Sequence, residues 1–204
     1  MPVITISRQF GAGGKTLGSM VAERLGYRFL SEKDTLEAVA ERANVSVEMV
    51  KGVEKEAGSR LMRVLCTLVP SAFIERHVGE AKTDLQEEKK YVEVLSQVIR
   101  EAADQDNVVI IGWGGQFILG DRPDCYKILL VGERPDRIQF MIDRYGLTPS
   151  KAEQVVTREE KRRIRFLENF QISDPDEPSM YHNVINTSLV NLETACEVIC
   201  GLVE

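Results

Sequence analysis

Near the start of the chain Gly11, Ala12, Gly13 and Gly14 run into Lys15 and Thr16, a set of residue types suited to holding a chain of phosphates. Glycines let successive backbone N–H groups converge on phosphate oxygens. A lysine adds a mobile positive charge, and a threonine hydroxyl can serve Mg²⁺ as a ligand. Gly14, Lys15 and Thr16 fit the last three members of the pattern G-x-x-x-x-G-K-[ST], while Gln9 stands where its first glycine would fall. Ahead of the loop, Val3, Ile4, Thr5 and Ile6 read as a strand. Behind it, Leu17, Met20, Val21 and Leu25 recur at helical spacing, so the loop opens onto a helix N-terminus whose dipole favours anions. The plainer alternative, a turn that only joins strand to helix, leaves the Lys-Thr pair unexplained.

A second concentration of chemistry lies far along the chain, where Arg158, Lys161, Arg162, Arg163 and Arg165 are interleaved with Glu159 and Glu160. Helical spacing sets Arg158, Arg162 and Arg165 near one face and displaces Arg163 toward its neighbour, so several guanidinium groups could close over a triphosphate as a lid. The alternative is an exposed helix laced with ion pairs such as Glu159 with Arg163. Carboxylates gather at Glu32 and Asp34, just past a short apolar stretch at 26–30 that reads as a second strand. There they are candidates for Mg²⁺ (Glu32) and for orienting an acceptor (Asp34), although Asp34 could equally help to start the next helix. Cys66, Cys125, Cys196 and Cys200 lack paired C-x-x-C spacing and nearby histidines, so they read as core thiols, and His77 and His182 are isolated.

These groups must be positioned by one domain, since 204 residues suffice for a single full core with a small insertion. The net charge of −6 argues against a nucleic-acid binder, which is ordinarily basic, and points to small-molecule partners. No apolar run is long enough to span a bilayer, and the chain begins directly on a strand, so the expectation is a cytoplasmic protein with no membrane association. The oligomeric state is not encoded in any recognisable pattern.

Thr35 to Ala43 is periodic as a helix, Ser46 is a plausible N-cap, and helical patterns continue to about Arg100, with polar stretches at Glu54–Gly58 and Thr83–Lys90 and a break near Gly79. This insertion, about 35–100, is the natural place for acceptor binding. Asn107 to Gly112 restores an apolar β signature and ends in a second glycine turn, Gly112-Trp113-Gly114-Gly115. A strand at 126–131, a helix at 137–145, a strand at 184–186 and a closing helix from about Asn191 follow. Alternating strands and helices predict a doubly wound α/β sheet.

Four segments together resemble the cytidylate kinase-like family of P-loop kinases: Ile4 to Gly14 (ITISRQFGAGG), Val109 to Leu119 (VIIGWGGQFIL), Glu160 to Arg165, and Tyr181 to Ser188 (YHNVINTS). They occur in the family's order over nearly the whole chain. A register placing Gly11-Ala12-Gly13 on the tripeptide of nucleoside monophosphate kinases, with Lys15 one position late, stays open beside the first. The resemblance implies a P-loop NTPase fold with a five-stranded parallel sheet, helices on both faces, the acceptor-binding insertion, and a lid at about 147–175. It implies that Gly11, Gly13, Gly14, Lys15 and Thr16 hold ATP and Mg²⁺; Ala12 belongs to the same loop, and Arg158 joins the ATP-binding set through the helical-spacing lid reading. Lys15, Arg163 and Arg165 would then be catalytic, with Glu160 as the acidic companion of Arg163, and helical spacing adds Arg162 to the catalytic set. Glu32 falls near an aspartate of the family's second-strand motif, and Arg8 matches a motif arginine with no assigned role.

Trp113 departs from the family's usual arginine, and loss of that cation would remove a charge-assisted contact of about 1.5–3 kcal/mol unless Arg60, Arg63 or Arg76 replaces it. Trp113 could instead stack on an acceptor ring or pack under its turn. The implied activity is an ATP-dependent phosphotransferase acting on a nucleoside monophosphate, cytidine monophosphate or its deoxy form first. A nucleotide-binding sensor that has lost transfer, or a kinase for another metabolite, stays open at this level.

Overall fold

A computed structural model describes residues 2–42, 83–120 and 122–203 and divides the chain into two units, 1–31 with 99–204 and, between them, 32–98. In chain order the elements are β1 (Val3–Arg8), α1 (Gly14–Leu25), β2 (Arg28–Leu30), α2 (Glu32–Arg42), α3 (Thr83–Asp104), β3 (Val108–Ile111), α4 (Gly115–Ile118), β4 (Cys125–Val131), α5 (Arg134–Tyr145), α6 (Pro149–Leu167), β5 (Asn183–Asn186) and α7 (Leu192–Cys200). Two 3₁₀ turns, Glu168–Phe170 and Pro178–Met180, lie between α6 and β5.

The larger unit is built on five parallel strands in the order β2-β3-β1-β4-β5. A strand covered on both faces must be apolar throughout, and Val108, Val109, Ile110 and Ile111 of β3 are fully or almost fully buried. Ile4 and Ile6 of β1 point to the face covered by Leu17 and Val21 of α1 and by Ala195, Cys196 and Ile199 of α7. Thr5 points the other way, toward Gly115 of α4. Because β1 has β3 on one side and β4 on the other, the chain reverses direction across the sheet at β1. The crevice at its carboxyl end is where such sheets bind ligands.

Local chemistry explains the helix ends. Gly26 closes α1 in the left-handed region, with its own N–H reaching Glu23 O and that of Tyr27 reaching Ala22 O at 2.8 Å. Thr148 caps α6 ahead of Pro149, and the Asn191 side chain accepts from Thr194 N at 2.8 Å to cap α7. The second strand is shorter than 26–30 because Gly26 and Tyr27 finish the helix cap instead of entering the sheet. Cys125, Cys196 and Cys200 are buried free thiols, the latter two with Sγ atoms 4.0 Å apart, and burial pushes the Cys125 thiol up.

In the smaller unit α2 buries Thr35, Val39 and Ala40 on one stripe and carries a Lys33–Glu37 ion pair at 3.4 Å. Glu32 and Asp34 follow β2 directly, and the alternative in which Asp34 helps to start the next helix is the one the structure shows. They form the first turn of α2, where carboxylates suit the helix dipole. Arg60, Arg63, Arg76, Cys66, His77, the Ser46 cap and the breaks at 54–58 and Gly79 lie outside the described residues. Among the described residues no helix is long and apolar enough to cross a membrane.

Ile110 is fully buried on β3, an interior strand of the sheet, so Ile110→Ala should cost about 2–5 kcal/mol of unfolding free energy. Chemical denaturation should show a lower midpoint with an unchanged slope, and a loss below about 1 kcal/mol would contradict that burial.

Candidate functional site

The stretch from Gln9 to Gly13 turns tightly after β1. The N–H of Ala12 bonds Gln9 O at 3.1 Å, and the first helical bond runs from Leu17 N to Gly13 O at 3.0 Å. The N–H groups of Gly13, Gly14, Lys15 and Thr16 therefore precede the first intrahelical donor of α1, and no side chain caps this end. That is the array of amides a phosphate chain requires. Gly11 has φ +90°, and a Cβ there would meet the Arg137 carbonyl oxygen at 2.7 Å, so the loop can take this path only with glycine at that position. Lys15 is exposed at the mouth and Thr16 half-buried beside it, while Ala12 and Gly14 are buried.

Arg137 holds the loop in place. Its side chain is 9 % exposed and donates to Gly132 O at 2.9 Å, to Phe10 O at 3.0 Å, and to the Glu160 carboxylate in a close ion pair. One guanidinium thus ties the phosphate loop, the end of β4 and helix α6 together. Phe10 adds an apolar anchor, packing among Met141 of α5 and Ala152 and Val156 of α6. Gln9, in place of the first motif glycine, makes polar links: its Oε1 accepts from Gly132 N at 3.2 Å and its Nε2 donates to Asp176 at 3.3 Å. On the flank of the loop toward β4 and β5 opens a cavity of about 350 Å³, where Gly11, Ala12 and Gly13 face Phe140, Thr187 and Leu192 among others.

Of the arginines in α6, Arg163 is the one directed to the end of β1. Its Nη2 donates to the buried Ser7 hydroxyl at 3.3 Å, and both Nη atoms engage the Asp176 carboxylate, one of them at close range. Ser7 also accepts from Gln116 Nε2 at 3.3 Å; Gln116 reaches the Tyr181 hydroxyl as well, and that hydroxyl donates to Pro175 O. Burial raises the Tyr181 pKa, which keeps the hydroxyl a donor.

The sequence-based pairing in α6 is corrected in three respects. Glu160 pairs with Arg137 rather than Arg163, Glu159 pairs with Arg158 and Arg162, and the partner of Arg163 is Asp176. The expected cluster of Arg158, Arg162 and Arg165 is exposed, and Arg158 lines a separate shallow groove along α6 with Glu153 and Lys161. The displaced residue, Arg163, is the inward one because α6 turns its Ala152–Val156 stripe onto α5. Trp113 packs edge-on against Phe166 at 5.6 Å between ring centres, and Phe166 and Phe117 both pack on Phe170, so the indole belongs to an aromatic cluster at the base of α6.

Sequence reasoning missed Arg137 and Asp176 as site residues. A cation in the first turns of a helix runs against the dipole, and Arg137 is such a residue, which is the one signal it offered. Asp176, in Asp174-Pro175-Asp176-Glu177-Pro178, reads as part of a polar turn, and its partners Gln9 and Arg163 are identifiable only after folding. Among the described residues no three His, Cys, Asp or Glu side chains gather as a metal site. The donor set at the loop, one threonine hydroxyl beside a phosphate cradle, fits Mg²⁺ held mainly by phosphate oxygens and water.

The profile of the cytidylate kinase-like family matches residues 3–189, which include the loop, Arg137, Arg163 and Asp176. The chain belongs to the cytidylate kinase-like family. A cytidylate kinase of Ignicoccus hospitalis is 24 % identical over 202 residues, covering 98 % of this chain and 97 % of that one. An uncharacterized protein from Eubacterium ventriosum superposes with a TM-score of 0.68 at 18 % identity, covering 100 % and 98 % of the two chains. Shikimate kinase from Bacteroides thetaiotaomicron superposes with a TM-score of 0.52 at 15 % identity over 98 % and 97 %. The fold is that of P-loop kinases, and fold and family together make the chain a phosphotransferase in kind.

Arg137→Ala leaves the Glu160 carboxylate and two carbonyls without their donor, so unfolding free energy should fall by about 2–4 kcal/mol. Urea titration of the variant reads this directly. A loss under about 0.5 kcal/mol would show that the guanidinium does not hold the loop.

Proposed function

We propose that this member of the cytidylate kinase-like family transfers the γ-phosphoryl group of ATP to a nucleoside monophosphate, with cytidine monophosphate or its deoxy form as acceptor. The observation that carries the reading is the Gly13–Thr16 amide array at the start of α1, flanked by a cavity of about 350 Å³ large enough for a nucleoside. That cavity mixes apolar walls (Phe140, Val190, Leu192) with polar groups able to read a base and ribose (Asp136, Gln139, Asn191). The family match and the cytidylate kinase relative favour the nucleotide acceptor.

Phosphoryl transfer needs positioning and charge neutralisation more than covalent help. The loop amides hold the phosphate chain, Lys15 shares its charge, and Arg163, oriented by Asp176 and Ser7, supplies a second cation beside the reacting groups. The Thr16 hydroxyl would help hold Mg²⁺, which would supply further neutralising charge on the triphosphate.

Purified protein should form ADP from ATP and Mg²⁺ only when one nucleoside monophosphate of a panel is present, and chelation of Mg²⁺ should stop it. Lys15→Ala should lower that rate about 10²- to 10³-fold while leaving the thermal midpoint within a few degrees, since Lys15 is exposed. Turnover with a different metabolite alone, or nucleotide binding without turnover, would overturn the acceptor assignment.

A further inference from the structure

Strand β1 outruns β3. Their register ends at Ile6 opposite Ile111, where Gly112 N bonds Ile6 O at 3.0 Å, while Ser7 and Arg8 continue beside Leu129 and Leu130 of β4 only. On the β3 side the strand end thus has no ladder partner among the described residues. Strand alternation sends Ser7 and Arg8 to opposite faces: Ser7 meets Gln116 and Arg163, and Arg8 follows Ile4 and Ile6 onto the α1 face.

Two glycines fit the Arg8 side chain. A Cβ on Gly14 would lie 2.9 Å from Arg8 Cγ, so the stem runs directly across the first residue of α1. A Cβ on Gly112 would lie 2.1 Å from Arg8 Nη1, and Gly112 has φ +70°, so the guanidinium lies over the glycine turn that ends β3. The half-buried stem is confined between the phosphate loop and that turn, which fixes the guanidinium position. Trp113, the next side chain, is turned to Phe166 and brings no charge.

The candidate nucleoside cavity lies on the β4–β5 flank of the loop, and Arg8 stands on the β3 flank. In-line transfer places the attacking oxygen opposite the leaving oxygen, so with ATP in that cavity the acceptor approaches from the β3 flank. We infer that Arg8 is a specificity-determining residue that binds a phosphate-class anion carried by the acceptor, doing so from β1 at the place where the glycine turn of β3 supplies no cation. The inference rests on the reading of this chain as an ATP-dependent kinase. A planar guanidinium suits two oxygens of a phosphate, which an ammonium matches only in charge.

The test uses the full chain as wild type, Arg8→Gln and Arg8→Lys, with thermal midpoints to confirm folding. Calorimetry first measures Mg·ATP binding. Protein saturated with Mg²⁺ and a non-hydrolysable ATP analogue is then titrated with cytidine monophosphate, cytidine and inorganic phosphate. Mg·ATP affinity should stay within about threefold in both variants. Cytidine monophosphate and inorganic phosphate should bind about 10- to 100-fold more weakly to Arg8→Gln, Arg8→Lys should recover part of the loss, and cytidine should be indifferent to either change. Equal phosphate affinity in wild type and Arg8→Gln, none in either included, overturns the assignment, as does an equal loss of Mg·ATP affinity, which would place Arg8 among the donor contacts. If Arg8→Gln fails to fold, Arg8→Lys decides: phosphate binding identical to wild type overturns the assignment. A wild type that binds no Mg·ATP defeats the kinase reading itself. One that binds inorganic phosphate as tightly as it binds cytidine monophosphate defeats only the choice of acceptor.

Discussion

The buried guanidinium of Arg137 is the constraint on which the rest of the site depends. A phosphate loop of small residues has little side chain of its own with which to hold a shape, and its amides must stay oriented without a ligand. Arg137 meets that need from outside the loop by donating to Phe10 O and Gly132 O while its charge is balanced by Glu160. Burying such a charge is costly unless its donors are satisfied, and here two carbonyls and a carboxylate take them. The same contact fixes α6 against the loop, so the phosphate cradle and the helix that carries Arg163 are positioned by one interaction.

Around that anchor the end of β1 sends polar side chains to both faces of the sheet. The pleat sends Ser7 toward α4 and α6 and Arg8 toward α1, and each becomes the centre of a different set of neighbours. Arg163 is set by Asp176 and Ser7, while the Arg8 stem crosses Gly14 and its guanidinium lies over Gly112. An arginine held by a carboxylate can exchange that partner for a phosphate of the same bidentate geometry. Gln9 links the Arg163 arrangement to the Arg137 anchor, since it reaches Asp176 with one end and the Gly132 amide with the other. A glycine at that position would make neither link.

Trp113 shows how a departure from a motif is absorbed. Its ring joins Phe117, Phe166 and Phe170 in an aromatic cluster that fastens the end of α6 to the glycine turn after β3. The position has become part of the support for the helix that bears Arg163, so its contribution to the site passes through packing.

The sequence by itself determined the elements with a strong local signal: the phosphate loop between β1 and α1, the fully apolar β3, and the order of strands and helices that yields a parallel sheet. These follow from period and glycine placement, both of which act within a few residues. It also marked α6 as a basic helix, but it did not reveal which arginine would turn inward, because helical spacing orders side chains around an axis without saying which side meets the body. Only the tertiary structure decided that Arg163 pairs with Asp176, that Glu160 serves Arg137, and that Arg8 lies over Gly112. Each of these contacts joins residues from different elements. Charge pairing between them depends on distances that only the folded sheet and its crossings set.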